Sequence, residues 1–260
     1  MTAWLRPVET LWRREVVRFV RQRSRLIGAF AQPLVFWMLL GGGMSQSFRP
    51  TAGTGGDDYV EYFYPGVVVM VLLFTAIFAT ITTVEDRSRG FLQGVLVAPV
   101  TRAQIVLGQA LGGTTLACLQ GMLFLLLAPL AGIALGFGSA LAALGVVFLI
   151  AFLLTSLGLV IAWRMDSTQG FHAIMNLILL PIWFLSGAFF PTSAAPGWLG
   201  WAMQLNPLTY GLALLRRALY GHAPAAVSAL PSVGTSLVIV TGAAFLVFCA
   251  ATMTARRSAA

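Results

Sequence analysis

The densest mixture of charge, glycine and proline in the sequence is the stretch EDRSRGFLQGVLVAPVTRAQ, from Glu85 to Gln104. Glu85, Asp86, Arg87 and Arg89 form a charged entry, Gly90 and Gly94 permit tight turning, and Phe91, Leu92, Val95, Leu96 and Val97 can present an apolar knob. Such a run suits recognition of another protein rather than bond-making. Pro99 is placed to end the short helix, because its ring and missing N–H break the backbone ladder, and Thr101 can cap the helix that follows. The plainer alternative is a solvated loop between two apolar segments. Residue types for catalysis are scattered. His172 and His222 lie far apart, the acids sit in loops or in the N-terminal segment, and no GxSxG, HExxH or phosphate-binding glycine loop occurs. Cys118 and Cys249 are isolated inside separate apolar segments, which suits packing rather than a disulfide or a metal site.

The elements that must position this loop are apolar on both sides of it. Tyr62 to Val84 carries no charge, and between Arg102 and Arg164 there is none either. About 20 apolar residues cross a bilayer as a helix, and a charge at its centre costs about 3 kcal/mol. The whole chain of 260 residues is 58% hydrophobic and 9% charged, against about 25% charged in a soluble domain. Its mean hydropathy is +0.88. The fold class expected is therefore all-α integral membrane, since barrel strands would be about 10 residues with alternating polarity.

Residues 1–25 read as an amphipathic interfacial helix on the cytoplasmic side. Trp4, Leu5, Val8, Leu11, Trp12, Val16 and Phe19 share one side at 100° per residue, and Arg6, Arg13, Arg14, Arg18, Arg21 and Arg25 share the other, toward anionic headgroups. Glu9, Glu15 and Arg23 interrupt the apolar side. A basic start before an apolar run also describes a secretory signal, but this basic part is too long and lacks a small-residue cleavage site. Residues 26–253 then hold six expected spans: Leu26 to Met44, Pro65 to Val84, two within Ala103 to Trp163 broken near Pro129 to Gly138, His172 to Phe189, and Ser232 to Met253. Residues 254–260 form a cytoplasmic tail. The segment 191–231 carries Trp198, Trp201 and many leucines but is interrupted by Pro191, Pro196 and Pro207, so it is expected to form a re-entrant hairpin of two short helices meeting at Asn206 and Pro207. Arg216 and Arg217 are expected at the outer headgroups.

The net charge of +8 comes from arginine alone. With six spans, Arg6, Arg13, Arg14, Arg18, Arg21, Arg23, Arg25, Arg87, Arg89, Arg102, Arg164, Arg256 and Arg257 fall on one side and Arg49, Arg216 and Arg217 on the other, thirteen against three. Positive charge stays inside, so both termini and the 85–104 loop are expected in the cytoplasm and the hairpin outside. Basic charge in this arrangement serves topology and membrane lipids, with no nucleic acid implied.

Glu85, Arg87, Gly90, Leu96, Pro99, Val100, Arg102, Ile105, Leu107 and Gly108, in that spacing, resemble the signature loop of type-2 ABC transporter permeases, the membrane subunits of bacterial exporters. Asn206, Pro207, Leu208, Thr209 and Tyr210, followed by Leu214, Leu215 and Arg216, resemble that family's stretch before the last span. LVAPVTRAQIVLGQALGG is most similar to the daunorubicin and drug-resistance branch, with Phe91 and Gln109 departing from the usual residue types. The resemblance implies a permease that binds no cofactor, pairs with a second copy or close paralogue in the bacterial inner membrane, and exports drug-like, lipid-linked or glycan cargo. A separate cytoplasmic ABC ATPase would use ATP and Mg. By the same resemblance Glu85, Arg87, Gly90, Phe91, Leu96, Pro99 and Arg102 would couple to that ATPase, while Asn206, Pro207 and Tyr210 would form an external gate. Phe74, Phe78 and Thr82 on the second span and Asn176 and Phe184 on the fifth would line the path, although an aromatic stripe equally serves packing. The rival class is a membrane assembly or structural protein without transport. An intramembrane enzyme lacks its polar constellation.

Overall fold

The computed structural model describes residues 2–44, 59–189, 195–221, 227 and 230–257, with no strand among them. The loop at 45–58, Pro191, His222 and the last three residues of the tail lie outside the described residues. Helix α1, Thr2–Arg21, is separated from α2, Arg23–Met44, by Gln22 alone. Helix α3 runs from Tyr59 to Ser88, and the short α4 spans Phe91–Val97. Next come α5, Arg102–Leu125, a 3-10 turn at Ala128–Ala131, and α6, Phe137–Ala162. Helix α7, Thr168–Trp183, runs into a π turn at Phe184–Ala188; α8 is Gly197–Leu205, α9 Pro207–Tyr220 and α10 Val233–Arg257.

Five of these are long and apolar enough to cross a membrane: α3, α5, α6, α7 with its π turn, and α10; α2 carries a shorter apolar stretch, Phe30–Gly43. The long uncharged region divides where expected. Gly132 takes a left-handed φ of 80° after the 3-10 turn, a conformation that glycine adopts without a Cβ clash, and α6 restarts at Phe137. Helix α3 is longer than its uncharged stretch. Thirty residues rise about 45 Å against a hydrocarbon core of about 30 Å, so its charged end extends well past the apolar thickness.

Helix α3 forms the axis of the bundle: 94% of its most apolar window is buried, whereas α10 buries 17%. Small residues let the neighbours approach. A Cβ on Gly113 of α5 would come within 2.5 Å of Thr155 on α6, and one on Gly158 of α6 within 2.6 Å of Thr80 on α3. Close packing of this kind drives association where no water is available to be released. Polar side chains add glue, with Gln120 of α5 meeting Thr75 of α3 in the interior.

Candidate coupling surface and α8–α9 hairpin

The segment 85–104 is built in three pieces. Helix α3 carries its acids to its very end, Gly90 turns the chain with a left-handed φ of 75°, and α4 follows before an extended Ala98. Pro99 lies just past α4, and Thr101 caps α5: its hydroxyl accepts from the Gln104 N–H at 3.4 Å while Gln104 Oε1 accepts from the Thr101 N–H at 2.8 Å. This reciprocal pair is a capping box. Leu92 points inward, onto Ile105, Val106, Leu159 and Trp163, so it anchors α4 rather than forming part of a knob. Phe91 is 42% exposed. With Val95, Ala98, Gly90 and Gly94 it forms one wall of an open groove of about 690 Å³ whose other wall is Arg6, Pro7, Thr10 and Leu11 of α1. The Leu96 side chain lies outside the described residues.

Two of the expected coupling charges are engaged within the chain. Arg18 donates to Glu85 at 2.6 Å, and Arg87 donates to the Trp163 carbonyl at 2.8 Å and pairs with exposed Asp166 at 3.4 Å. Arg89 is exposed, and Arg102 is part-buried with Nη1 unpartnered.

Helix α1 is seated in the bundle. Gly108 and Gly112, one turn apart on α5, leave space for it: a Cβ on Gly108 would meet the Leu11 Cβ at 2.8 Å, and one on Gly112 the Glu15 Cβ at 2.7 Å. Trp12 Nε1 donates to Thr115 at 2.9 Å and Gln104 Nε2 to the Trp4 carbonyl at 2.8 Å. The expectation that the arginines share one lipid-facing side is corrected for two of them. Arg14 donates to both oxygens of Asp86 at 2.7 and 2.8 Å, and Arg18 to Asp86 at 2.7 Å. The Arg14 guanidinium also covers the Phe91 ring at 3.8 Å, tying α1, α3 and α4 together.

Glu15, an interruption of the apolar side in the helical wheel, is a buried member of this cluster. Its carboxyl lies 2.8 Å from the Thr82 hydroxyl and 3.0 Å from Arg14. The Thr82 hydroxyl also lies 2.7 Å from the Ala79 carbonyl, and its single proton cannot serve both acceptors. Burial, the largest influence, pushes the Glu15 carboxyl above its ordinary range, against the opposing pull of Thr82 and Arg14.

The expected path residues separate. Phe74 is buried in the core of α3, Phe78 packs its ring on His172 at 6.1 Å, and Thr82 faces Glu15. Asn176 is exposed and Phe184 is 41% exposed, on the outer side of α7. Within one copy of the chain Phe74 and Thr82 are buried, Phe78 borders α7, and Asn176 and Phe184 are exposed.

The hairpin residues do converge. Asn206 ends α8 and caps α9, its Oδ1 accepting from the Leu208 N–H at 3.0 Å and its Nδ2 donating to the Ile182 carbonyl at 2.6 Å. Pro207 occupies the first turn of α9, where no N–H is needed. Tyr210 donates to the Gln204 carbonyl at 3.0 Å, closing α8 on α9. Arg216 corrects the headgroup expectation, because it is only 5% exposed and donates to the Gly187 carbonyl at 2.9 Å. Arg217 donates to the Leu230 and Pro231 carbonyls at 2.8 and 3.1 Å. Gly187 has φ 84°, and its carbonyl also accepts from Tyr62 at 3.1 Å. A Cβ on Gly66 would meet Ala188 at 2.7 Å, and Trp183 donates to the Gly66 carbonyl at 2.8 Å.

Several long apolar helices around a buried axial helix define a multi-pass helical membrane protein. Residues 6–220 match the ABC-2 type transporter family, and the chain belongs to that family. It is similar to nodulation protein J of Rhizobium leguminosarum bv. trifolii, 30% identical over 218 residues that cover 82% of this chain and 80% of that one. It is also 28% identical to the transport permease ycf38 of Cyanophora paradoxa over 221 residues, 84% of this chain and 76% of the relative. Nodulation protein J of Sinorhizobium fredii is 28% identical over 212 residues.

Proposed function

We propose that this chain is the membrane subunit of an ATP-driven exporter, working with a separate cytoplasmic ABC ATPase that supplies the hydrolysis. Six spans, with α2 as the first, put both termini and α4 in the cytoplasm of a bacterium and the α8–α9 hairpin outside, dipping into the outer leaflet. The ATPase docks on α4 and the groove that α4 shares with α1. ATP and Mg bind in that partner and not in this chain. Two copies, or this chain and a close paralogue, enclose the path, which brings the exposed Asn176 and Phe184 side of α7 toward the partner copy. Export follows alternating access, with the hairpin as outer gate. Drug-like amphiphiles, lipid-linked molecules and glycans are the cargo classes that the resemblance suggests, multidrug resistance being one outcome.

The observation that carries this reading is α4 itself. It is a seven-residue helix isolated by Gly90 and Pro99, anchored through Leu92, with half-exposed Phe91 and an apolar groove left open beside the charged end of α3. The test replaces Val95, on the groove wall, with Asp. Docking would then have to desolvate a charge, so the variant is expected to insert normally but to lose its copurifying ATPase and its export. Normal export with the ATPase still bound removes the docking assignment.

A further inference from the structure

Arg216 is the one arginine that is buried among the described residues. Its guanidinium makes no ion pair there, its Nε has no partner, and the groups it touches are neutral, the Gly187 carbonyl and the face of Tyr62, whose ring centre is 4.3 Å away, while Tyr220 lies within electrostatic reach of both Arg216 and the Glu61 carboxylate. The Gly187 carbonyl does not depend on it, since Tyr62 already donates to that oxygen. A charge placed among neutral partners, away from water, is costly to hold there, and removing such a charge in favour of an apolar side chain is often neutral or stabilising. The three elements concerned, α3, the π turn after α7, and α9, meet at this point.

We propose that Arg216 is a positioning residue that biases the hairpin toward opening: in the packed state its charge is held dry, and the hydration it gains when α9 lifts from Gly187 favours the open state. This rests on the outer-gate reading of the hairpin. It predicts the opposite sign from a latch. A latch, once removed, leaves the end of the bundle looser; removal of a confined charge leaves it shut.

The test uses the permease with its copurifying ATPase in nanodiscs. Cys118 and Cys249 are replaced by alanine, and Ala213, buried on α9 one turn before Arg216, is replaced by cysteine as a reporter of water access. Labelling by a charged maleimide is compared under ATP turnover and under ADP. In the parent, turnover is expected to speed labelling. Arg216→Met is expected to slow labelling about tenfold, the shift that loss of a modest bias gives a two-state equilibrium, and to reduce export while ATP hydrolysis persists. Its thermal midpoint is expected to be no lower than the parent's. Arg216→Lys keeps the charge and is expected to restore labelling and export.

Faster labelling in Arg216→Met, or unchanged labelling while the parent reporter still responds to ATP, overturns the assignment and leaves the gate reading standing. A lowered midpoint that Arg216→Lys does not rescue also overturns it, since the residue is then a structural brace. A parent reporter indifferent to ATP, together with normal export from Asn206→Ala, removes the gate reading and this inference with it.

Discussion

The two ends of α3 are held by opposite means. At the Glu85 end, charge meets charge: Arg14 and Arg18 of α1 converge on Asp86 and Glu85, with Glu15 beneath them. At the Tyr59 end, a single buried arginine meets the Gly187 carbonyl and the Tyr62 ring, and Tyr59, Phe63, Trp183 and Phe189 pack on one another edge to face or stacked. Paired charges in a partly buried cluster are hard to separate, because each group left behind is uncompensated. Aromatic edges and carbonyl contacts can be exchanged for others at lower cost. One end of the axial helix is tied to α1 and α4 by ion pairs, and the other is held by neutral contacts.

Asp86→Ala should break the comparison most strongly. It removes the carboxylate that Arg14 and Arg18 share and leaves each with one acid, Glu15 and Glu85 respectively, in a partly shielded cluster, so a loss of about 3 kcal/mol is expected, read as a sharp drop in thermal midpoint in detergent. A change within about 0.5 kcal/mol, the usual range for a surface site, would show that the cluster is solvated and its geometry incidental. Gly112→Val should come next. The added side chain collides with Glu15 and lifts α1 from α5, at about 1–3 kcal/mol, and ATPase binding should weaken with it. Retained midpoint and retained binding together would separate α1 from the coupling surface.

At the other end, Gly187→Ala should cost about 1–2 kcal/mol, because the left-handed backbone there disfavours a Cβ. Export should fall more than ATP hydrolysis, since the carbonyl shared by Tyr62 and Arg216 is displaced. Equal losses in both would assign Gly187 to folding alone.

The smallest effect concerns pH. Glu15 has its pKa raised in the folded state, so between the ordinary glutamate range near pH 4.5 and its folded value the folded chain holds more protons than the unfolded one. Its contribution to stability therefore declines as pH rises through that window. Glu15→Gln has nothing to titrate there, so its midpoint relative to the parent should improve from about pH 4.5 to pH 7. A difference that is flat with pH would mean that Glu15 is as solvated as a surface acid.

Much of this was legible in the sequence, and the missing parts have a common cause. Pro99, Thr101, Asn206 and Pro207 act locally, through a ring, a cap or a fixed dihedral, and the structure uses each as its residue type predicts. The uncharged runs locate the long helices but not their limits, since α3 extends past its own run at both ends. The partners of Glu15 and Arg216 are not visible in the sequence, because a local pattern shows one helix at a time. Whether a charge off the polar side is a blemish or a contact depends on Thr82 and Asp86, some 70 positions away, or on a carbonyl exposed by a helix break. The π turn at Phe184–Ala188 had no signal beyond Gly187 itself. Gly108 and Gly112 were visible as a pair one turn apart, and that spacing is the cue that could have seated α1 on α5.

The burial of α3 on every side also bears on how such a chain can diverge. A helix enclosed on every side has no free face that can be altered for a new cargo without disturbing a neighbour, so its sequence is expected to drift slowly and to accept mainly changes that conserve volume. Helix α10, most of whose surface is uncovered, can exchange one aliphatic residue for another with little consequence inside the bundle. Adaptation to different cargo is then expected to accumulate in α7 and the α8–α9 hairpin, around an axis that stays nearly constant.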